Sequence, residues 1–144
     1  CLSQSDRIML DRLLTEDARL NLAGPDACLD LYADGWLPPS TTLRIRARRR
    51  AWRRVELRGR HVPQAAGPLS FEVRCGDGQV TRQRFDRPGP FVVNIGLPPA
   101  AQRPAYWSFA IDVQGGFVPS DKDPASDDHR KLACRIEEVR LCAR

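Results

Sequence analysis

Apolar and polar residues alternate with a period of two along most of this chain. From Thr41 to Ala47, the residues Leu43, Ile45 and Ala47 take one phase, and Arg44, Arg46 and Arg48 take the other. Alternation of this kind marks a strand with one buried face. Trp52–Gly59 repeats it with Val55 and Leu57 inward, and further strands are predicted at Leu69–Cys75, Val80–Phe85, Phe91–Ile95 and Tyr106–Val113. Ala27–Tyr32 reads as a short apolar strand, and Trp36–Leu37 returns the chain to the core after a turn at Ala33–Asp34–Gly35. The separators are rich in turn formers: Pro38–Pro39, Pro63 with Gly67–Pro68, Arg87–Pro88–Gly89–Pro90 and Pro98–Pro99. Cys75–Gly76–Asp77–Gly78–Gln79 is the sharpest hairpin signal, because Asp-Gly supports a tight primed turn.

Only Ser3–Leu22 reads as a helix. Ser3 or Ser5 can cap it, Asp6 suits its first turn, and Ile8, Met9, Leu13 and Leu14 cluster on one side with Ala18 nearby. Gly24–Pro25–Asp26 stops it. No helix is expected between strands, which excludes a doubly wound α/β fold. About seven or eight short strands, with a turn every ten residues or so, predict an all-β, antiparallel β-sandwich of jelly-roll-like form, preceded by a short N-terminal helix. The expected division is a helix or linker over residues 1–24 and the sandwich module over residues 25–144.

The stretch Phe117–Leu141 anchors the C-terminal part. A polar loop, with apolar residues no larger than Pro124 and Ala125, leads into a last strand over Lys131–Leu141. There Leu132, Cys134 and Ile136 alternate, the phase slips by one at Glu137–Glu138, and Val139 and Leu141 resume it. A one-residue slip predicts a β-bulge. Three pieces of this tail, Phe117–Val118–Pro119, Asp128–His129–Arg130–Lys131–Leu132 and Ile136–Glu137–Glu138–Val139–Arg140–Leu141, resemble the end of a β-sandwich module attached to bacterial glycosyltransferases. Asp34–Gly35–Trp36–Leu37 resembles that module's front end, so the similarity runs roughly from Leu29 to Leu141. The resemblance implies a non-catalytic accessory domain in polysaccharide or glycolipid assembly, which holds a saccharide chain or orients an adjacent glycosyltransferase domain and needs no cofactor. It also implies structural roles for two residues: Asp128 bonded to loop amides, and Arg130 buried where the last strand begins.

A length of 144 residues suits one domain with one core. No apolar run reaches the roughly 18 residues a membrane-spanning helix needs. The net charge of +5 is carried almost wholly by arginine, since Lys122 and Lys131 are the only lysines. With abundant Ala and Pro, that bias fits a GC-rich genome and says little about partners. Cys1, Cys28, Cys75, Cys134 and Cys142 are five, widely spaced and without a CxxC pair, which argues against a structural zinc site or a closed disulfide framework. A reducing compartment follows, and with it a cytoplasmic location, peripheral to the inner membrane through a parent protein. A chain that starts at Cys1 is expected to be cut at a domain border, with a lipid-modified terminal cysteine as the second reading.

Candidate chemistry is sparse. No GxSxG elbow, phosphate loop or HExxH motif occurs, and His61 and His129 lack an evident catalytic set, so no enzyme is expected. Arg44–Arg60 contains nine Arg and one acid, Glu56. By alternation Arg44, Arg46 and Arg48 share one outward face, and Trp52 lies outward with Arg54 and Arg58. Together with Tyr106 they are candidates for carbohydrate or partner binding, with Trp52 as a platform for a pyranose ring. The same set also suits a basic nucleic-acid- or phosphate-binding module, or a structural interdomain or dimerisation scaffold without ligand. Asp121, Asp123 and Asp127 are hard oxygen donors of the kind Ca²⁺ takes, although the EF-hand pattern is absent; solvated or turn-capping carboxylates are the blander reading. Trp107, Phe109, Ile111 and Val113 share one phase and are expected in the core, as are Phe71, Phe85 and Phe91.

Overall fold

The computed structural model describes residues 18–19, 27–46, 53–65, 67–76, 78–97 and 106–142. Ten strands lie in this order: β1 (Ala18–Arg19), β2 (Ala27–Leu29), β3 (Trp36–Leu37), β4 (Ser40–Arg46), β5 (Arg54–His61), β6 (Leu69–Cys75), β7 (Val80–Phe85), β8 (Gly89–Gly96), β9 (Tyr106–Gln114) and β10 (Cys134–Cys142). One helical turn, α1 (Pro119–Lys122), opens the long loop before β10, with Pro119 in its first turn where a missing N–H costs nothing.

The strands form two five-stranded antiparallel sheets. The back sheet runs β10-β5-β8, with β3 and β1 both on the free side of β10, one near each end. The front sheet runs β2-β4-β9-β6-β7. The pairing follows one rule: β6 pairs β7, β5 pairs β8, β4 pairs β9 and β3 pairs β10. A single long hairpin, four strands out and four back, is thus rolled so that β10 meets β5 and β9 meets β6. That is jelly-roll connectivity, as expected from the strand pattern.

The hairpin folds at Gly76–Gly78, where the amide of Cys75 donates to the carbonyl of Gln79 at 2.8 Å and that of Gly78 to Cys75 at 3.0 Å. The connection is therefore a three-residue loop and not the two-residue primed turn expected from Asp-Gly. Gly78, at φ 93°, takes the left-handed position that such a loop demands.

The inward phase fills the space between the sheets. Leu43, Leu57, Leu69, Val73, Val93, Ile95, Phe109, Ile111 and Val139 are fully buried, and Trp107, Phe71 and Phe91 nearly so. Each such side chain stabilises the fold by about 1.5–3 kcal/mol. Phe71, Phe85 and Phe91 make an aromatic cluster with centroids 4.9–5.9 Å apart, across the side where β7 and β8 approach. There the backbone N–H of Asn94 on β8 donates to Gln83 Oε1 of β7 at 2.8 Å, so a side chain bridges the two sheet edges.

The slip expected near Glu137–Glu138 is a bulge: Ile136 faces Gly59 and Glu138 faces Arg58, so Glu137 is the extra residue. Gly59 serves this close approach, because a Cβ there would stand 2.3 Å from the Arg135 carbonyl oxygen and 2.8 Å from Phe91. Of the helix expected over Ser3–Leu22, only Ala18–Arg19 lies within the described residues, and this pair is extended. Its backbone pairs with Leu141 and Arg140, so these two residues add an edge to the back sheet. The ladder to β10 outweighs the helical periodicity at these two positions. No helix among the described residues is long and apolar enough to cross a membrane.

Gly59→Ala is expected to lower stability by about 1–3 kcal/mol through the forced shift of Arg135 and Phe91. A drop in the urea midpoint measures it, and an unchanged midpoint would contradict the close packing at the bulge.

Candidate functional site

Three polar assemblies stand out; loops build the first, and the outward phase of the strands builds the other two. The first closes one end of the sandwich. The loop between β2 and β3 brings Asp34 against Arg130, which precedes β10. Arg130 donates to Asp128 through Nε at 2.9 Å and Nη2 at 2.7 Å, and to Asp34 through Nη1 at 3.0 Å and Nη2 at 2.8 Å. One guanidinium thus forks onto two carboxylates. Its Cζ lies 4.7 Å from the Tyr32 ring centroid, and the Tyr32 hydroxyl donates to the Lys131 carbonyl at 3.3 Å. Beneath it Val62, Ala65, Phe117 and Leu132 form a second apolar cluster, joined by Tyr32 and Trp36, and Trp36 meets Phe117 edge-on at 5.6 Å. The Arg130 hydrogen bonds hold Asp128 down at about 2 and lower Asp34, while both carboxylates raise Arg130. Asp128 and Arg130 are thus paired, with Asp34 as a third member; Arg130 is half-exposed where burial was expected, and the amide that Asp128 accepts from is that of Arg130 itself. In the sequence Asp34 belongs to a turn and to the front-end motif Asp34–Leu37, and neither pairs it with Arg130.

The second assembly lies on the outer face of the back sheet. Glu56, only 6% exposed, accepts from Arg54 Nη1 at 2.5 Å and from Arg58 Nε and Nη2 at 2.9 and 2.6 Å. Burial works to raise its pKa, but Arg54, Arg58 and the thiol of Cys142 outweigh that and hold it at about 2. Arg54 also reaches Asn94 Oδ1 at 2.8 Å. Arg140 bonds Glu138, and Arg60 approaches Glu137 at 3.4 Å. Arg54 and Arg58 are thus engaged within the sheet.

The third assembly is a groove of about 540 Å³ on the outer face of the front sheet. Strand β6 contributes Ser70, Glu72 and Arg74, β7 contributes Arg82 and Arg84, and β9 contributes Asp112 and Gln114. The register aligns Glu72 with Arg82 on one side and with Asp112 on the other. Arg74 donates to Glu72 Oε1 through Nε at 2.8 Å and Nη2 at 2.6 Å, and Arg82 Nε lies 3.4 Å from Oε2. These bonds lower the pKa of Glu72 and raise that of Arg74. Ser40 donates to Asp112 at 2.5 Å, and Arg84 Nε donates to Asp86 at 2.7 Å.

The candidate arginines of the sequence do not converge. Arg44 and Arg46 belong to the front sheet and Arg54 and Arg58 to the back sheet, because β4 and β5 cross between the layers. Arg44 pairs with Asp30 at 3.6 Å. Arg48 and Trp52 lie outside the described residues, and of Tyr106 only the backbone is described, opposite Arg46. The candidate calcium ligands do not gather either. Asp123 accepts from the amide of Ala125 at 3.0 Å as a turn cap, while Asp121 and Asp127 are exposed. Among the described residues, no group of three or more His, Cys, Asp or Glu is placed to hold a metal ion.

Cys75, Cys134 and Cys142 are buried thiols outside any disulfide, and burial pushes Cys134 up to about 12. His61 is buried with Nε2 2.9 Å from the Gly67 carbonyl, and His129 Nδ1 lies 2.9 Å from Ser120 Oγ. The chain matches no protein-family model and no curated protein.

Arg130→Ala should lower the melting temperature by about 3–6 °C at neutral pH, since two carboxylates lose their partner. Asp128 has its folded pKa depressed below the ordinary 3.8, so its contribution is full above about pH 4 and fades as pH falls through about 2. The gap between wild type and variant should close over the same interval in melts at stepped pH. A gap independent of pH, or none at pH 7, would remove the bracing role.

Proposed function

We propose that this protein is a non-catalytic jelly-roll module that holds a saccharide chain in the groove of its front sheet, as an accessory to a glycan-assembling glycosyltransferase. The observation that carries the reading is the pre-oriented polar floor: Glu72 fixed by Arg74, and Asp112 fixed by Ser40. Saccharide hydroxyls both donate and accept, and such a floor offers guanidinium donors and carboxylate acceptors side by side. An open groove on a sheet face covers little of a ligand, which suits a module that must hold a growing chain loosely. The tail motif ending in Asp128–Arg130–Leu132 and Ile136–Val139–Leu141 supports the link to glycosyltransferases by resemblance.

The basic nucleic-acid reading is less favoured, because Arg44, Arg54, Arg58, Arg74 and Arg140 each have a carboxylate partner within the fold. Paired guanidiniums attract a phosphate backbone weakly. A scaffold without ligand remains the outcome if no glycan binds.

Titration with a panel of neutral and acidic oligosaccharides, followed by amide chemical shifts, tests the proposal. Binding in the roughly millimolar range, worth about 4 kcal/mol, should shift amides of β6, β7 and β9. Glu72→Gln with Asp112→Asn should abolish it while the melt stays within a few degrees, and Arg44→Gln should leave it intact. A single-stranded oligonucleotide whose binding falls steeply with salt, with no response to any glycan, would replace this reading by the nucleic-acid one.

A further inference from the structure

The groove is not electrically uniform, and its asymmetry says more about what it takes. Its floor carries the two acids, Glu72 and Asp112, already bonded to neighbours. Its outer wall is strand β7, which borders the front sheet. Arg82 and Arg84 stand on the outward phase of that strand, two residues and hence about 7 Å apart along one edge. Their side chains are 73% and 65% exposed. Among the described residues, Arg82 makes a single long contact, Nε to Glu72 at 3.4 Å, and Arg84 binds only Asp86, also through Nε. In both residues the Nη1–Nη2 edge, the end that receives an anionic oxygen pair in bidentate fashion, is left to solvent. Arg74, by contrast, is turned onto Glu72 with Nε and Nη2.

We infer that the groove selects an anionic saccharide, its charged groups held by Arg82 and Arg84 along the β7 wall and its hydroxyls by the floor. The inference rests on the saccharide reading above and narrows its ligand class. The acids of the floor repel an anion and the open forks of the wall attract it, so the chain is oriented as well as bound. The charged group is a uronate-type carboxylate or a sulfate ester, since both present paired anionic oxygens.

The test compares wild-type affinities for a polyuronate oligosaccharide, its carboxyl-reduced neutral counterpart and a sulfated chain of similar length. At least one anionic chain should bind about five- to tenfold tighter than the neutral one at low salt, and the advantage should shrink near 0.5 M salt, where the Debye length falls to about 4 Å. Which anionic chain leads identifies the group. In Arg82→Gln/Arg84→Gln the ratio of anionic to neutral affinity should fall to about one, whatever the variant does to the neutral chain itself. Equal binding of all three chains by wild type, or an advantage that survives the double substitution, overturns the anionic selection and leaves the saccharide reading standing. Absence of binding by all three overturns both. The comparison of ligands on wild type needs no variant, so it holds whatever the substitutions do to folding.

Discussion

Antiparallel pairing between distant halves of the chain is the constraint on which everything else rests. Strands β3 to β6 run out and β7 to β10 run back, and each outgoing strand meets its partner across the loop at Gly76–Gly78. Rolling that ribbon buries the inward phase of both layers at once. It also decides which outward side chains become neighbours. Glu72 meets Arg82 because the Cys75–Gln79 pair closes a three-residue loop between β6 and β7. Glu56 meets Arg54 and Arg58 because they share the outward phase of β5. Pairing between β3 and β10 joins residues about a hundred positions apart, a separation that adds to its loop-closure cost. The Arg130 clasp fastens that same end, where β3 and the start of β10 lie side by side.

Strands and core were largely legible, because period-two burial depends only on local alternation. Leu43 and Ile45, the phase shared by Trp107 and Val113, and the slip at Glu137 could all be read from neighbouring residues. The binding surface was less legible. The basic run from Arg44 to Arg60 is contiguous in sequence, but the chain leaves the front sheet after β4 and enters the back sheet at β5. Contiguity therefore separates Arg44 from Arg54 by the thickness of the sandwich. Layer assignment is a property of the whole topology, and no local pattern encodes it.

The groove, by contrast, had a local signal. Ser70, Glu72 and Arg74 alternate with Leu69, Phe71 and Val73, and Arg82 and Arg84 alternate across the hairpin signalled by Asp77–Gly78. Counting outward from a two-residue Asp77–Gly78 turn would bring Glu72 opposite Gln83; the three-residue loop shifts the register by one and brings it opposite Arg82. Asp112 could not be placed this way, since β9 reaches β6 only through the roll. The Asp34 member of the clasp was hidden for the same reason: it is 96 residues from Arg130.

Gln83 has a consequence for the molecule's company. A sandwich whose outermost strands end in bare backbone donors invites another chain to continue the ladder. Here a glutamine amide oxygen takes the Asn94 N–H that a foreign strand would seek, and it does so from the opposite layer. Where β7 and β8 run close, this edge donor of β8 is satisfied within the molecule. A module bearing such a seam is suited to being crowded beside copies of itself without polymerising along that side.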